Sequence, residues 1–117
     1  MKNVESKIQI ACVNWFRYQY PKYKKLLFSV PNGGARNSIT GAILKMEGAL
    51  AGVSDLIFLK PNRFYGCLCI EMKQPKGRQQ ESQKEWQKAV ESAGNKYVVC
   101  RSLDEFIEVV TDYLKDV

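Results

Sequence analysis

Two apolar runs in this chain carry charges that a β-strand does not normally tolerate, and they restrict its fold more than any other feature. The first, Val53-Ser54-Asp55-Leu56-Ile57-Phe58-Leu59, holds Asp55; the second, Cys67-Leu68-Cys69-Ile70, runs straight into Glu71-Met72-Lys73. An isolated carboxylate or ammonium buried among such residues costs several kcal/mol or more. Three charges on two such strands therefore need partners. Side chains of a strand alternate in direction, so Glu71 and Lys73 point to one face and Met72 to the other. If the two strands are hairpin neighbours, Asp55 lies near Glu71. The pair then offers a hard, all-oxygen site suited to Mg2+, with Lys73 beside it.

The chain contains no histidine, which excludes histidine general bases, Ser-His-Asp and Cys-His nucleophile systems, and His-containing metal sites. Hydrolysis by this protein must run on carboxylates, lysine and metal. Phosphodiester cleavage needs a nucleophilic water, charge stabilisation at the phosphate and help for the leaving oxygen, which bound Mg2+, or Mn2+ in its place, supplies. Asp55 and Glu71 are the expected ligands, and Lys73 is expected to orient the attacking water or stabilise developing charge. The bland alternative is an Asp55–Lys73 ion pair, with Glu71 merely ending an edge strand. The formal charge of +6, with pI near 9.2, favours a polyanionic partner, since Lys and Arg binding to phosphates releases counterions.

At 117 residues the chain is expected to form one domain, 1–117, with one modest core. Cys12, Cys67, Cys69 and Cys100 form no Cys-x-x-Cys pair and sit in apolar runs, where buried thiols are expected. No stretch approaches the roughly 18 to 20 apolar residues of a membrane span, and the start lacks a signal peptide's apolar middle. A cytoplasmic protein with no membrane and no organic cofactor is the expectation.

Along the chain, residues 3–20 place Val4, Ile8, Ala11, Cys12 and Trp15 at helical spacing behind Asn3 as cap, and Pro21 stops the helix. A strand is expected at 26–30. A helix follows at 38–50, with Ile39, Ala42, Ile43, Met46 and Leu50 as its apolar stripe and Gly41 and Gly48 weakening it. Strands at 54–59 and 64–72 are expected as a hairpin joined by Lys60-Pro61-Asn62-Arg63. A helix at 81–93 ends at Gly94, a strand spans 97–100, and Ser102-Leu103-Asp104-Glu105 has the form of a capping box opening the last helix. The order α-β-α-β-β-α-β-α predicts an α/β fold, a mixed β-sheet flanked by helices.

Outside the two charged strands, Asn32, Gly33, Gly34 and Arg36 combine close backbone approach with a guanidinium able to pair a phosphate bidentately. A plain turn would use the same residues. Lys76 and Arg78, flanking Gly77, are candidates for the DNA backbone, although charged loops are most often only solvated. Trp15 and Trp86 stand at helical apolar positions and read as core or interface residues.

The blocks Glu5, Pro31-Asn32-Gly33-Gly34-Ala35-Arg36, Gly48 and Gly52 before Asp55, Glu71-Met72-Lys73, Pro75-Lys76-Gly77, and Gln83 with Trp86 together resemble the VRR-NUC family of the PD-(D/E)XK nuclease superfamily. Ser54 stands where the superfamily name has proline, a position that supplies no ligand. The eponymous valine-arginine-arginine segment has no literal copy. The resemblance implies a restriction-endonuclease-like fold and Mg2+-dependent DNA cleavage. It further implies a third metal contact from the Met72 backbone carbonyl, with Glu5 approaching the metal centre from the helical side. Gln83 would hydrogen-bond the attacking water or Lys73. Read alone, Glu5 is a first-turn carboxylate favoured by the helix dipole and Gln83 a surface glutamine. The resemblance also implies a phage-type resolvase, a homodimer acting on branched DNA such as four-way (Holliday) junctions in a bacterial or phage-infected cell. Two other classes fit the composition: a non-catalytic nucleic-acid-binding module, and an interaction subunit presenting aromatics such as Tyr18, Tyr20 and Tyr23.

Overall fold

The alternation of side chains along the second charged strand divides the molecule into an apolar half and a polar half. In the computed structural model, which describes residues 3–31 and 38–117, the elements are α1 (Asn3–Gln19), a 3-10 turn at Pro21–Tyr23, β1 (Leu27–Ser29), α2 (Ser38–Met46), β2 (Leu56–Phe58), β3 (Leu68–Met72), α3 (Glu81–Ser92), β4 (Lys96–Cys100) and α4 (Leu103–Leu114). This is the order expected from the sequence. The four strands form one mixed sheet, β1-β2-β3-β4. β1 and β2 are antiparallel, as are β2 and β3, whereas β3 and β4 run parallel around the α3 crossover.

Leu68, Ile70 and Met72 of β3 face one side and meet Leu56, Phe58 and Cys100, Cys12 and Phe16 of α1, and Phe106, Val110 and Tyr113 of α4. All are buried, and this is the core. Phe58 packs edge to face with both Phe16 and Tyr113 within it. Trp15 joins its margin against Tyr20 and Phe106, and Trp86 of α3 packs edge-on to Tyr97, both in the packing roles expected of them. Cys69, Glu71 and Lys73 alternate with the core residues and so belong to the other side of the sheet, where α3 lies.

Several boundaries move, each for a local reason. The hairpin expected at 60–63 is a longer connection, residues 59–67. Asn62 Oδ1 accepts the N–H groups of Phe64 and Tyr65, both at 2.9 Å, while Asn62 Nδ2 donates to the Tyr113 carbonyl at 3.1 Å. These bonds tie the loop to the end of α4, so β3 begins at Leu68. α2 stops at Met46 because Gly48 takes a left-handed φ of 108°, the usual device at a helix C-terminus. Leu50 thus leaves the helix. Three members of the apolar stripe are exposed, Ile43 at 46%, Met46 at 80% and Leu50 at 60%.

At α4 the capping box is displaced by one residue: Ser102 Oγ accepts the Glu105 N–H at 3.1 Å, but Glu105 Oε1 accepts from Arg101 N at 2.7 Å. Cys12, Cys69 and Cys100 are buried as expected, and burial pushes each thiol up to about 12. Cys67 is half-buried. Among the described residues no helix is long and apolar enough to cross a membrane.

Candidate active site

The β2–β3 register pairs Leu56 with Ile70, so one step beyond it Asp55 stands opposite Glu71. Asp55 Oδ2 accepts the Met72 N–H at 2.7 Å, replacing the ladder bond that a longer β2 would have made. N–H and C=O of one strand residue point to the same edge. The Met72 carbonyl is therefore directed toward the Asp55 side as well. Ser54, at the position where the superfamily name has proline, is fully buried and its hydroxyl donates to the Leu56 carbonyl at 3.1 Å. That bond turns the chain into β2.

Glu71 is 2% exposed. Its Oε2 accepts from Gln83 Nε2 at 3.1 Å and its Oε1 from the Tyr97 hydroxyl at 3.4 Å. Burial first, and then the hydrogen bond and charge of Asp55, push the Glu71 carboxyl up to about 8 from its usual 4.5, against the opposing pull of Lys73 and Tyr97. Two carboxyls in contact inside a protein cannot both ionise without help. At neutral pH the Glu71 carboxyl therefore keeps its proton unless a cation takes its place. Lys73, only 5% exposed, is the nearby positive charge.

Gln83 reaches this site because of how α3 begins. Its Oε1 accepts the Gln80 N–H at 2.8 Å, satisfying a first-turn donor. The other end of the same amide is thereby turned to Glu71. The loop before β2 presses on this helix start. Gly52 has a left-handed φ of 89°, and a Cβ there would run into the Ser82 carbonyl and approach Gln83 N at 3.0 Å.

The structure brings together Asp55, Glu71, Met72, Lys73 and Gln83. Glu5, on α1, accepts the Gln74 N–H at its Oε2 at 3.4 Å, one residue past Lys73. Among the described residues no group of three His, Cys, Asp or Glu side chains comes together. The acidic centre is a pair. Lys76 and Arg78 are exposed in the turn after β3. Asn32, Gly33, Gly34 and Arg36 lie outside the described residues.

Sequence reading missed Tyr97 and Gln79. Tyr97 lies two residues before Val99, the register partner of Glu71, and so on the same face. Its hydroxyl accepts from Gln79 Nε2 at 3.1 Å, and Gln79 also donates to Gln87 at 2.9 Å. The available signal was a tyrosine in the strand Lys96–Cys100, since a buried phenol needs a hydrogen-bond partner.

Comparison with known proteins agrees with this fold. The VRR-NUC domain family matches residues 2–104. A solved structure described as a VRR_NUC domain protein superposes with a TM-score of 0.84 at 27% identity, covering 96% of this chain and 88% of that one. No curated protein matches the chain.

Proposed function

The chain belongs to the VRR-NUC domain family of PD-(D/E)XK nucleases, and from that premise we propose that it is a metal-dependent endodeoxyribonuclease that hydrolyses phosphodiester bonds. The observation that carries this reading is the Asp55–Glu71 pair, two carboxylates in register on neighbouring strands, with Glu71 buried and pushed up to about 8. Structural acids are seldom left in such a conflict, whereas sites that hold a cation contain it by design.

The donor set fits Mg2+ or Mn2+, being oxygen only: Asp55, Glu71 and the Met72 carbonyl would hold the ion. When bound, it supplies charge stabilisation at the phosphate and lowers the pKa of a coordinated water. Lys73, on the same face as Glu71, stabilises negative charge developing on the phosphate. Gln83 holds Glu71 in one rotamer and keeps its own amide at the edge of the site. Tyr97 secures the second Glu71 oxygen from below. Glu5 supports the site through the Gln74 amide. Lys76 and Arg78 are assigned to the DNA backbone, together with Asn32, Gly33, Gly34 and Arg36.

DNA of branched form, such as four-way junctions, is the proposed substrate, and a homodimer the proposed assembly. The exposed Ile43, Met46 and Leu50 around α2 support self-association, since apolar side chains grouped on a surface mark contact sites. Cleavage of linear, flapped and four-way-junction DNA with Mg2+, Mn2+ and excess chelator is the test. Cutting that needs the metal and prefers the junction is expected. Full activity in chelator would overturn the metal assignment. Tight DNA binding without cutting under any metal would favour a non-catalytic binding module.

A further inference from the structure

The turn after β3 is held by a residue that lies well outside the carboxylate pair. Residues 74–77 fold back on themselves, with Gly77 N–H donating to the Gln74 carbonyl at 2.9 Å. The turn closes over Lys73: a Cβ at Gly77 would stand 3.5 Å from Lys73 Cδ and 3.3 Å from the Gln74 carbonyl oxygen. From the end of β4, Arg101 Nη1 donates to the carbonyls of Gln74 at 2.9 Å, Pro75 at 3.3 Å and Gly77 at 2.6 Å. The Arg101 backbone is itself fixed by Glu105 Oε1 on its N–H at 2.7 Å.

Three carbonyl oxygens converging on one nitrogen repel one another unless a cation sits among them. Hydrogen bonds from an ionised donor are roughly twice as strong as neutral ones. Arg101 therefore sets the shape of the turn. That turn packs on the Lys73 side chain and carries Lys76, with Arg78 next after it, so its shape decides what covers Lys73 and where Lys76 and Arg78 stand.

We propose that Arg101 is a positioning residue for the cleavage reaction: clamped on three carbonyls of the turn 74–77, it fixes the roof over Lys73 and the placement of Lys76 and Arg78. The inference rests on the nuclease reading above. A displacement of about 1 Å in a reacting group can cost roughly a hundredfold in rate. Loosening the roof over Lys73 acts through just such a displacement, although Arg101 touches no reacting atom.

The test uses the full chain with Arg101→Ala and Arg101→Lys. Hydrogen exchange at the Gly77 amide, single-turnover kcat and KM on a DNA that the parent cuts, the Mn2+ half-saturation and Tm are measured together. In Arg101→Ala, Gly77 exchange should rise by about tenfold or more and kcat should fall roughly 10- to 100-fold. The Mn2+ half-saturation should stay within about twofold, because Arg101 makes no bond to Asp55 or Glu71. Lysine, which keeps the charge and the donors, should recover part of both losses. If Arg101→Ala does not fold, Arg101→Lys is compared with Arg101→Gln by the same readouts. Parental Gly77 exchange, or faster exchange with unchanged kcat, would overturn the proposal while leaving the nuclease reading intact. A parent that cuts no DNA with Mg2+ or Mn2+ would sink that reading and the positioning role with it.

Discussion

Glu71→Gln should make the metal-free protein more stable at pH 8 while abolishing turnover. The Glu71 carboxyl sits at about 8 in the fold against an ordinary 4.5, so the folded chain holds a proton that the unfolded chain has released across that interval. The stabilising contribution of the protonated form is complete below about pH 4.5 and is lost as pH rises through about 8. Linkage puts the accumulated loss at pH 8 on the order of 4 kcal/mol. Glutamine copies the neutral state: its Oε1 can accept from Gln83, and its Nε2, which cannot accept the Tyr97 hydroxyl as Glu71 Oε1 does, faces a hydroxyl oxygen able to accept from it instead. It does not titrate. The assay is thermal and urea unfolding of both proteins in chelator from pH 5 to 8.5. Parent stability should decline across that range and the variant should stay nearly flat, with a Tm more than about 10 °C above the parent at pH 8. The chain has no histidine, and the raised thiols of Cys12, Cys69 and Cys100 begin to cost stability only as pH approaches their ordinary value of 9.0, which keeps pH 5 to 8 largely clear of other titrations. Added Mn2+ should restore the parent at pH 8 and do little for the variant. A parent whose metal-free stability is flat from pH 5 to 8, or a variant no more stable at pH 8, would refute the reasoning.

Other consequences follow from the same geometry. Asp55→Asn keeps an oxygen for the Met72 N–H but weakens the metal site, so turnover should drop by orders of magnitude with a Tm near that of the parent; parental cutting would show the site is misplaced. Gly52→Ala forces a Cβ at a left-handed φ against the Ser82 carbonyl. It should cost roughly 2 to 4 kcal/mol in urea unfolding and slow cleavage by shifting Gln83, and a cost below about 0.5 kcal/mol would contradict the close approach. Lys76→Ala and Arg78→Ala should each flatten the salt dependence of DNA binding by about one unit of slope, whereas loss of cleavage with unchanged binding would move them to the chemistry. Light scattering at micromolar concentration should show a dimer that Met46→Glu weakens, and a monomer in both proteins would remove the assembly.

How much was legible in advance depended on whether a feature was local or long-range. The order of helices and strands, the Asp55–Glu71 pairing and the shared face of Glu71 and Lys73 were all readable from the sequence. They follow from strand periodicity and from the cost of burying an unpaired charge, which act within a few residues. The Gln79–Tyr97–Glu71–Gln83 network was not readable, because it depends on β4 lying parallel beside β3 and on how α3 docks. The same holds for the bond of Glu5 to the Gln74 N–H, 69 positions away, and for Arg101, whose three carbonyl partners stand 24 to 27 positions earlier in the chain. The stripe of α2 shows the converse limit. Helical spacing correctly marked an apolar face, but spacing does not say what covers it, and only the packing of the other elements left Ile43 and Met46 outside the core.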